Sequence, residues 1–196
     1  MIGILLAAGF SRRYGDLDKL LQPLPDGRPI AIASAESLMQ AVPTCIAVLR
    51  PENKVLADSL SSRGVNLVFC SKNDQEMADS LATAIRFSAQ FSASDDGFMI
   101  ALADMPYIQP ATISEVTKQL KAGAAIVVPT FQGQRGHPVG FSAKFRNQLE
   151  SLKGDEGARS IIKRYSDEVT LFACDDAGIL TDIDTPADLN PNNPKV

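Results

Sequence analysis

The sequence predicts an α/β domain built on a mostly parallel sheet, with a small antiparallel hairpin added late in the chain. Short apolar runs recur along the chain, segments of helical periodicity separate them, and the spacing is that of right-handed parallel crossover units. An apolar run opens the chain and stops at Ala7, Ala8 and Gly9, the first strand. Pro29 then leads into a helix over residues 30–41, with Ile32, Ala35, Leu38 and Met39 recurring on one face. Residues 44–49 read as the second strand, Pro51 as the start of a helix through about residue 62, and residues 65–70 as the third strand, bounded by Gly64 and Lys72. An amphipathic helix over 78–91 precedes a nearly continuous apolar strand at 97–103, the pattern of a strand buried on both faces. Pro110 opens a helix through Lys121, and residues 124–129 form another buried strand. The polar link Gln132-Gly133-Gln134-Arg135-Gly136 and the apolar return Pro138-Val139-Gly140-Phe141 predict the hairpin, grafted on the main sheet. A short helix at 157–164, a strand at 169–173 and an extended segment at 179–183 follow. Thr185 then caps a brief last helix begun by Pro186. Residues 1–189 are expected to form one domain and 190–196, rich in Asn and Pro, a disordered tail.

Composition narrows the function. Lys and Arg number 19 against 23 Asp and Glu, a net charge of −4, which argues against a nucleic-acid or anionic-membrane binder because both need a concentrated basic surface. Cys45, Cys70 and Cys174 are odd in number and widely spaced, so neither a disulfide framework nor a zinc site is expected, and a reduced, cytoplasmic setting fits. The opening apolar run is too short for a signal sequence or membrane span. With His137 the only histidine, any metal would have to be held by carboxylates.

The run Leu6-Ala7-Ala8-Gly9-Phe10-Ser11-Arg12-Arg13-Tyr14-Gly15-Asp16-Leu17-Asp18-Lys19 carries the main functional signal. Two glycines, two arginines and a lysine directly after a strand would present backbone N–H groups and positive charge to a phosphate. It is not a P-loop, because five residues separate Gly9 from Gly15 and Asp16 follows, and the dinucleotide fingerprint is also missing. Ligands of open parallel sheets lie beyond the carboxyl ends of the strands, so Asp104, at the end of its apolar strand, is a candidate. On spacing alone it serves equally as a turn cap before Pro106 or as a metal ligand. Asp182 and Asp184 would point the same way along an extended segment, and also suit a helix N-terminal charge cluster.

These residues together resemble the MobA-like nucleotidyltransferases, which attach nucleotides to the molybdenum cofactor. The match runs in family order: Leu6-Ala7-Ala8-Gly9 with Ser11, Arg13, Gly15 and Lys19; Ser80-Leu81; Leu102, Asp104, Pro106 and Ile108; Gly136-His137-Pro138; Gly154-Asp155-Glu156-Gly157-Ala158-Arg159; and Asp182-Ile183-Asp184-Thr185-Pro186 with Asp188. Tyr14 stands where most members have Met. The resemblance implies a three-layer, Rossmann-like nucleotidyltransferase fold and a Mg²⁺-dependent transfer of a nucleotide to a pterin phosphate. It implies that Leu6, Ala7, Ala8, Gly9, Ser11, Gly15 and Ser80 bind the nucleotide and that Arg12, Arg13, Lys19 and Asp104 serve the chemistry. It further implies that Asp104 and Asp184, with Asp182, hold the metal, and that His137, Pro138, Asp155 and Arg159 face the acceptor. Ala8 replaces the glycine usual in the guanylyl branch, so CTP and molybdopterin are the expected substrates, and a molybdoenzyme the expected recipient. A guanylyltransferase, a nucleotidyltransferase for another small phosphate monoester and a non-catalytic pterin carrier are the alternatives.

Overall fold

The computed structural model describes residues 1–9, 14, 18–71, 77–154 and 157–189. Ser11, Arg12, Arg13, Gly15, Asp155 and the expected tail at 190–196 therefore lie outside the described residues.

Apolar runs that leave no polar side chain to face water form β1 (Ile2–Leu6), β2 (Cys45–Leu49) and β4 (Phe98–Leu102), each almost wholly buried. With β3 (Asn66–Phe69) they pair in parallel in the order β3-β2-β1-β4, with Ile4 level with Ile46 and Ile100. The helices are α1 (Ile30–Ala41), α2 (Lys54–Ser61), α3 (Met77–Ser88), α4 (Pro110–Lys121), α5 (Arg146–Glu150) and α6 (Arg159–Arg164). Side chains alternate faces along a strand, so each strand feeds two cores. Leu5, Ala47, Met99 and Ala101 pack with α1, α2 and α4, whereas Ile4, Ile46, Phe98 and Ile100 pack with α3, α5 and α6. The result is the expected three-layer α/β domain.

The chain runs from β1 outward to β2 and β3, then crosses back to place β4 on the other side of β1. The switch point between β1 and β4 opens a crevice at their carboxyl ends, where a ligand meets the fewest crossing connections.

Beyond β4 the sheet becomes mixed. β5 (Ile126–Phe131) pairs in parallel with β8 (Val169–Ala173) on one edge, and antiparallel with β6 (Gln134–Arg135) and β7 (Val139–Phe141) on the other. Gln132 and Gly133 both have positive φ, the demand of a two-residue hairpin turn. The apolar return joins the sheet in its interior and not at an edge. β7 is wedged between β4 and β5 and pairs antiparallel with both. Its wholly buried Val139-Gly140-Phe141 suits that interior place, and a Cβ on Gly140 would lie 2.6 Å from Val116 and Leu120 of α4.

Smaller expectations also change. α2 begins at Lys54, because the Asn53 N–H donates to the Arg50 carbonyl and makes the Pro51 segment a turn. α3 ends at Ser88, whose hydroxyl donates to the Ile85 carbonyl. Residues 177–180 form a 3-10 turn rather than extended chain. Thr185 does stand at the start of the last turn: its carbonyl accepts from Asp188 N (3.0 Å), and its hydroxyl and N–H both donate to the Asp188 carboxylate.

Asp176 makes that 3-10 turn. Only 3 % exposed, its carboxylate accepts from Gly178 N (3.0 Å), Gln109 N (2.9 Å) and Thr112 Oγ1 (2.6 Å), tying the late chain to the start of α4. A Cβ on Gly178 would lie 2.2 Å from the Tyr107 carbonyl oxygen, so the approach is close as well as hydrogen-bonded. Asp176→Ala strands three donors, and each buried orphan costs about 1–3 kcal/mol. The variant is expected to lose at least about 2 kcal/mol in urea unfolding, with Asp176→Asn losing less; an unchanged midpoint would refute this anchor.

Candidate active site at the sheet switch point

The strand frame carries the first loop residues with it. Ala103 N donates to Leu6 O (3.1 Å) and Ala7 N to Val48 O (3.0 Å), so both neighbours of β1 hold its end. Ala7 and Ala8 are buried, whereas Gly9 is exposed and a Cβ there would meet nothing within 4 Å. Tyr14 is also buried. Its hydroxyl is held above the ordinary tyrosine range by burial first and by the charge of Asp188 second, with Lys19 opposing.

Lys19 opens a 3-10 turn capped by Asp18, whose carboxylate accepts from Leu20 N at 3.0 Å. That turn aims the lysine inward. Its Nζ lies 2.8 Å from Asp104 Oδ2 and 3.5 Å from Asp184 Oδ1, and its side chain is 10 % exposed against 25 % and 31 % for the two acids. Asp104 stands two residues beyond β4, and its carbonyl accepts from Ile183 N at 2.9 Å, which draws the late segment alongside. Asp188 Oδ2 accepts from the N–H groups of Asp184 and Thr185, fixing the backbone of the second acid. Residues 19, 104 and 184, far apart in the chain, therefore meet at the switch point. Asp182 is on the wall of the neighbouring cleft.

These residues fit a divalent cation. Two carboxylates already converge on one positive charge, and their oxygens are the hard donors that Mg²⁺ or Mn²⁺ prefers. Among the described residues there is no group of three or more His, Cys, Asp or Glu able to hold a metal. Two acids make an open site, of the kind that substrate phosphates and water complete.

Beside the acids lies a cleft of about 1170 Å³. Leu6, Ile100, Leu102, Val128 and Val139 give it apolar walls from the sheet, Met77 and Leu81 line it from α3, and Arg135, Arg159 and Lys163 add positive charge. His137 lines it too, on a loop whose Gly136 N donates to Pro129 O and whose His137 N donates to Ile179 O, both at 3.0 Å. A Cβ on Gly136 would lie 2.4 Å from that Ile179 oxygen, so only glycine allows the approach. Pro138 is buried behind the loop, joined to His137 by a cis peptide bond. Ser80 is buried in the first turn of α3, and Met77 and Leu81 rather than Ser80 line the cleft.

The structure thus brings Lys19, Asp104 and Asp184 together, and sets His137 and Arg159 with Asp182 around one cleft. Sequence reasoning missed Arg50. This residue follows β2, is 9 % exposed, and its Nε donates to the Ala8 carbonyl at 2.7 Å. The one available signal was a charged residue directly after a wholly apolar strand.

A parallel α/β sheet with its crevice between the first and fourth strands is the architecture of doubly wound, nucleotide-handling proteins. Comparison with known proteins narrows the class. Residues 3–169 match the MobA-like NTP transferase domain, and the chain belongs to that family of nucleotidyltransferases. It is 29 % identical over 195 residues to the purine catabolism protein PucB of Bacillus subtilis (strain 168), covering 95 % of this chain and 92 % of PucB. It is 32 % identical over 127 residues to a Haloferax mediterranei protein named "Probable molybdenum cofactor guanylyltransferase", covering 64 % of this chain and 57 % of that protein. The crystal structure of Rv0371c from Mycobacterium tuberculosis H37Rv superposes with a TM-score of 0.82 at 26 % identity, covering 96 % of this chain and 95 % of that one. The manganese complex of the same protein superposes at 0.77 with 24 % identity, covering 95 % and 94 %. No helix among the described residues is long and apolar enough to cross a membrane.

The environment of His137 makes stability depend on pH. Burial chiefly, and then the Arg159 guanidinium, hold its imidazole below the ordinary histidine value, against the pull of Asp104 and of a hydrogen bond with the Ile100 backbone. Its buried Nδ1 has no hydrogen-bond partner. The folded protein therefore binds this proton less readily than the unfolded chain. The stability linked to His137 is fully present above about pH 6.5 and is lost as pH falls through the lower folded value. Urea unfolding of wild type and His137→Gln should show the difference moving in favour of the variant from about pH 7.5 to about pH 5. A constant difference, or one moving the other way, would contradict the assignment.

Proposed function

We propose that the protein transfers CMP from CTP to the terminal phosphate of molybdopterin and releases pyrophosphate. The observation that carries the reading is the meeting of Lys19, Asp104 and Asp184 at the switch point, beside an apolar cleft with basic side chains. In this reading the acceptor phosphate oxygen attacks the α-phosphorus in line, the new P–O bond forms as the bond to the β-phosphate bridge breaks, and pyrophosphate carries away the electron pair. The acceptor is already ionised, so no general base is required.

The residues divide the work. The main chain of Leu6, Ala7, Ala8 and Gly9, with Ser11 and Gly15, receives the nucleotide, and Ser80 supports that side from α3. Arg12, Arg13 and Lys19 neutralise the triphosphate. Asp104 and Asp184 hold a divalent cation, Mg²⁺ in this reading, with Asp182 beside them. Bound there, the cation supplies Lewis-acid compensation for the charge that builds on the α-phosphate. The cleft suits a flat heterocycle: its apolar walls accept ring faces, His137 and Pro138 form part of its setting, and Arg159, at the start of α6, meets the acceptor's polar end, a role that Asp155 shares in this reading. A cytoplasmic setting, and delivery of the product to a molybdoenzyme, go with this reading.

The base is assigned to cytosine because the Ala8 methyl group narrows a place where the guanylyl branch has glycine. A second reading, GTP as donor, draws on the similarity to the Haloferax guanylyltransferase. A non-catalytic pterin carrier would have no use for an acid pair converging on a cation beside a triphosphate loop.

Pyrophosphate release with molybdopterin and each nucleoside triphosphate, at equal concentration with Mg²⁺, tests the proposal. CTP is expected to win the competition, and GTP or ATP winning would sink the cytidylyl assignment. Asp104→Asn should lower kcat by about 10²–10³-fold, the scale of a lost electrostatic stabiliser, while sparing pterin binding. Retention of full activity by that variant would remove Asp104 from the chemistry.

A further inference from the structure

The end of β1 is held by backbone partners until Ala7, and by a side chain at Ala8. Leu6 O accepts from Ala103 N, and Ala7 N donates to Val48 O. One residue further along, the Ala8 carbonyl accepts from Arg50 Nε at 2.7 Å. Arg50 is well placed to hold it, because its own backbone is fixed. Cys70 N donates to Leu49 O at 2.9 Å on one side, and Asn53 N donates to Arg50 O at 3.1 Å on the other. An arginine only 9 % exposed is costly to keep out of water unless its donors are used. Here one of them is used on the Ala8 carbonyl.

The Ala8 carbonyl and the Gly9 N–H belong to one planar peptide. The His137-Pro138 bond is the only cis peptide among the described residues, so this one is trans and its N–H points opposite to its C=O. Holding the oxygen toward Arg50 therefore turns the N–H of Gly9 away from it, on a residue that is exposed and open on its Cβ side. Backbone N–H groups fixed in this manner form anion sites without any side chain at the ligand.

We infer that Arg50 is a positioning residue of the nucleotide loop: by fixing the Ala8 carbonyl, it aims the Gly9 N–H at the phosphates of the nucleoside triphosphate. The inference rests on the functional reading above, since it takes the loop as the triphosphate site. It assigns Arg50 to phosphate recognition and not to the base, so a change there weakens every triphosphate alike.

Titration calorimetry on the full chain tests it with three probes, CTP, inorganic tripolyphosphate and cytidine, all at one Mg²⁺ concentration. Arg50→Met should weaken CTP and tripolyphosphate by the same factor, about tenfold, which corresponds to about 1.4 kcal/mol, and leave cytidine unchanged. In steady-state assays KM for CTP should rise more than kcat falls. Arg50→Lys, which keeps the charge and a donor but loses the planar fork, should recover part of the loss and gives the same readout if the Met variant does not fold. Unchanged affinities, or equal losses for cytidine and tripolyphosphate, overturn the inference while leaving the nucleotidyltransferase reading intact. A wild-type protein that binds neither CTP nor tripolyphosphate overturns both together.

Discussion

A buried ammonium must find negative charge, and in this protein that need joins three distant parts of the chain. Lys19 is almost closed off from water, and its partners come from the end of β4 and from the last described segment. An unpaired charge in that position would be strongly destabilising, whereas a pair of carboxylates makes it tolerable. The same contact explains why the late chain crosses back over the sheet. Ile183 bonds to the Asp104 backbone, Asp188 fixes Asp184, and Asp176 anchors the turn before them. Stability and candidate chemistry share one cluster of charges, because the two carboxylates gathered around the ammonium are the ones proposed to hold a divalent cation.

The fold supplies the place for this cluster. Four parallel strands, of which β1, β2 and β4 are buried on both faces by α1, α2 and α4 on one side and α3, α5 and α6 on the other, form a frame whose order reverses beside β1. The loop after β1 and the acid after β4 then emerge side by side. β7 adds the second half of the site. By entering between β4 and β5 it carries the Gly136-His137-Pro138 loop to the edge of the cleft, where Ile179 holds it.

Much of this was legible in the sequence, for reasons that differ by residue. α1 and α4 were bounded correctly because their apolar periodicity is clear and Pro29 and Pro110 mark their starts. Asp104 stood out because an acid at the mouth of an apolar strand needs a partner, although spacing alone left turn cap and metal ligand equal and the family resemblance decided between them. The place of β7 was not legible, since four apolar residues state that they are buried but not between which strands. The turn at 177–180 was missed because its apolar Ile179-Leu180 runs on into Thr181-Asp182-Ile183 as if extended, and only the fold shows Asp176 capping it while holding the start of α4. Alternation alone could not choose between Asp182 and Asp184, and that Lys19 reaches Asp184 at 3.5 Å is a property of the assembled fold. Arg50 escaped notice because a lone arginine after a strand reads as a solvated edge, and its turn toward Ala8 is a property of the assembled sheet. The contributions of Arg12, Arg13, Ser11, Gly15 and Asp155 rest on the sequence pattern.

The central claim is that Asp104 and Asp184 form an open cation site that a triphosphate completes. Thermal unfolding with CTP, GTP, ATP and UTP, each with and without Mg²⁺, tests it most directly. A ligand at about a hundred times its dissociation constant adds about 2.7 kcal/mol to the folded state, a plainly visible rise in Tm. The account predicts the largest rise with CTP and Mg²⁺ together, exceeding the sum of either alone. A rise that is the same without the cation, or no rise with any nucleotide, would contradict it.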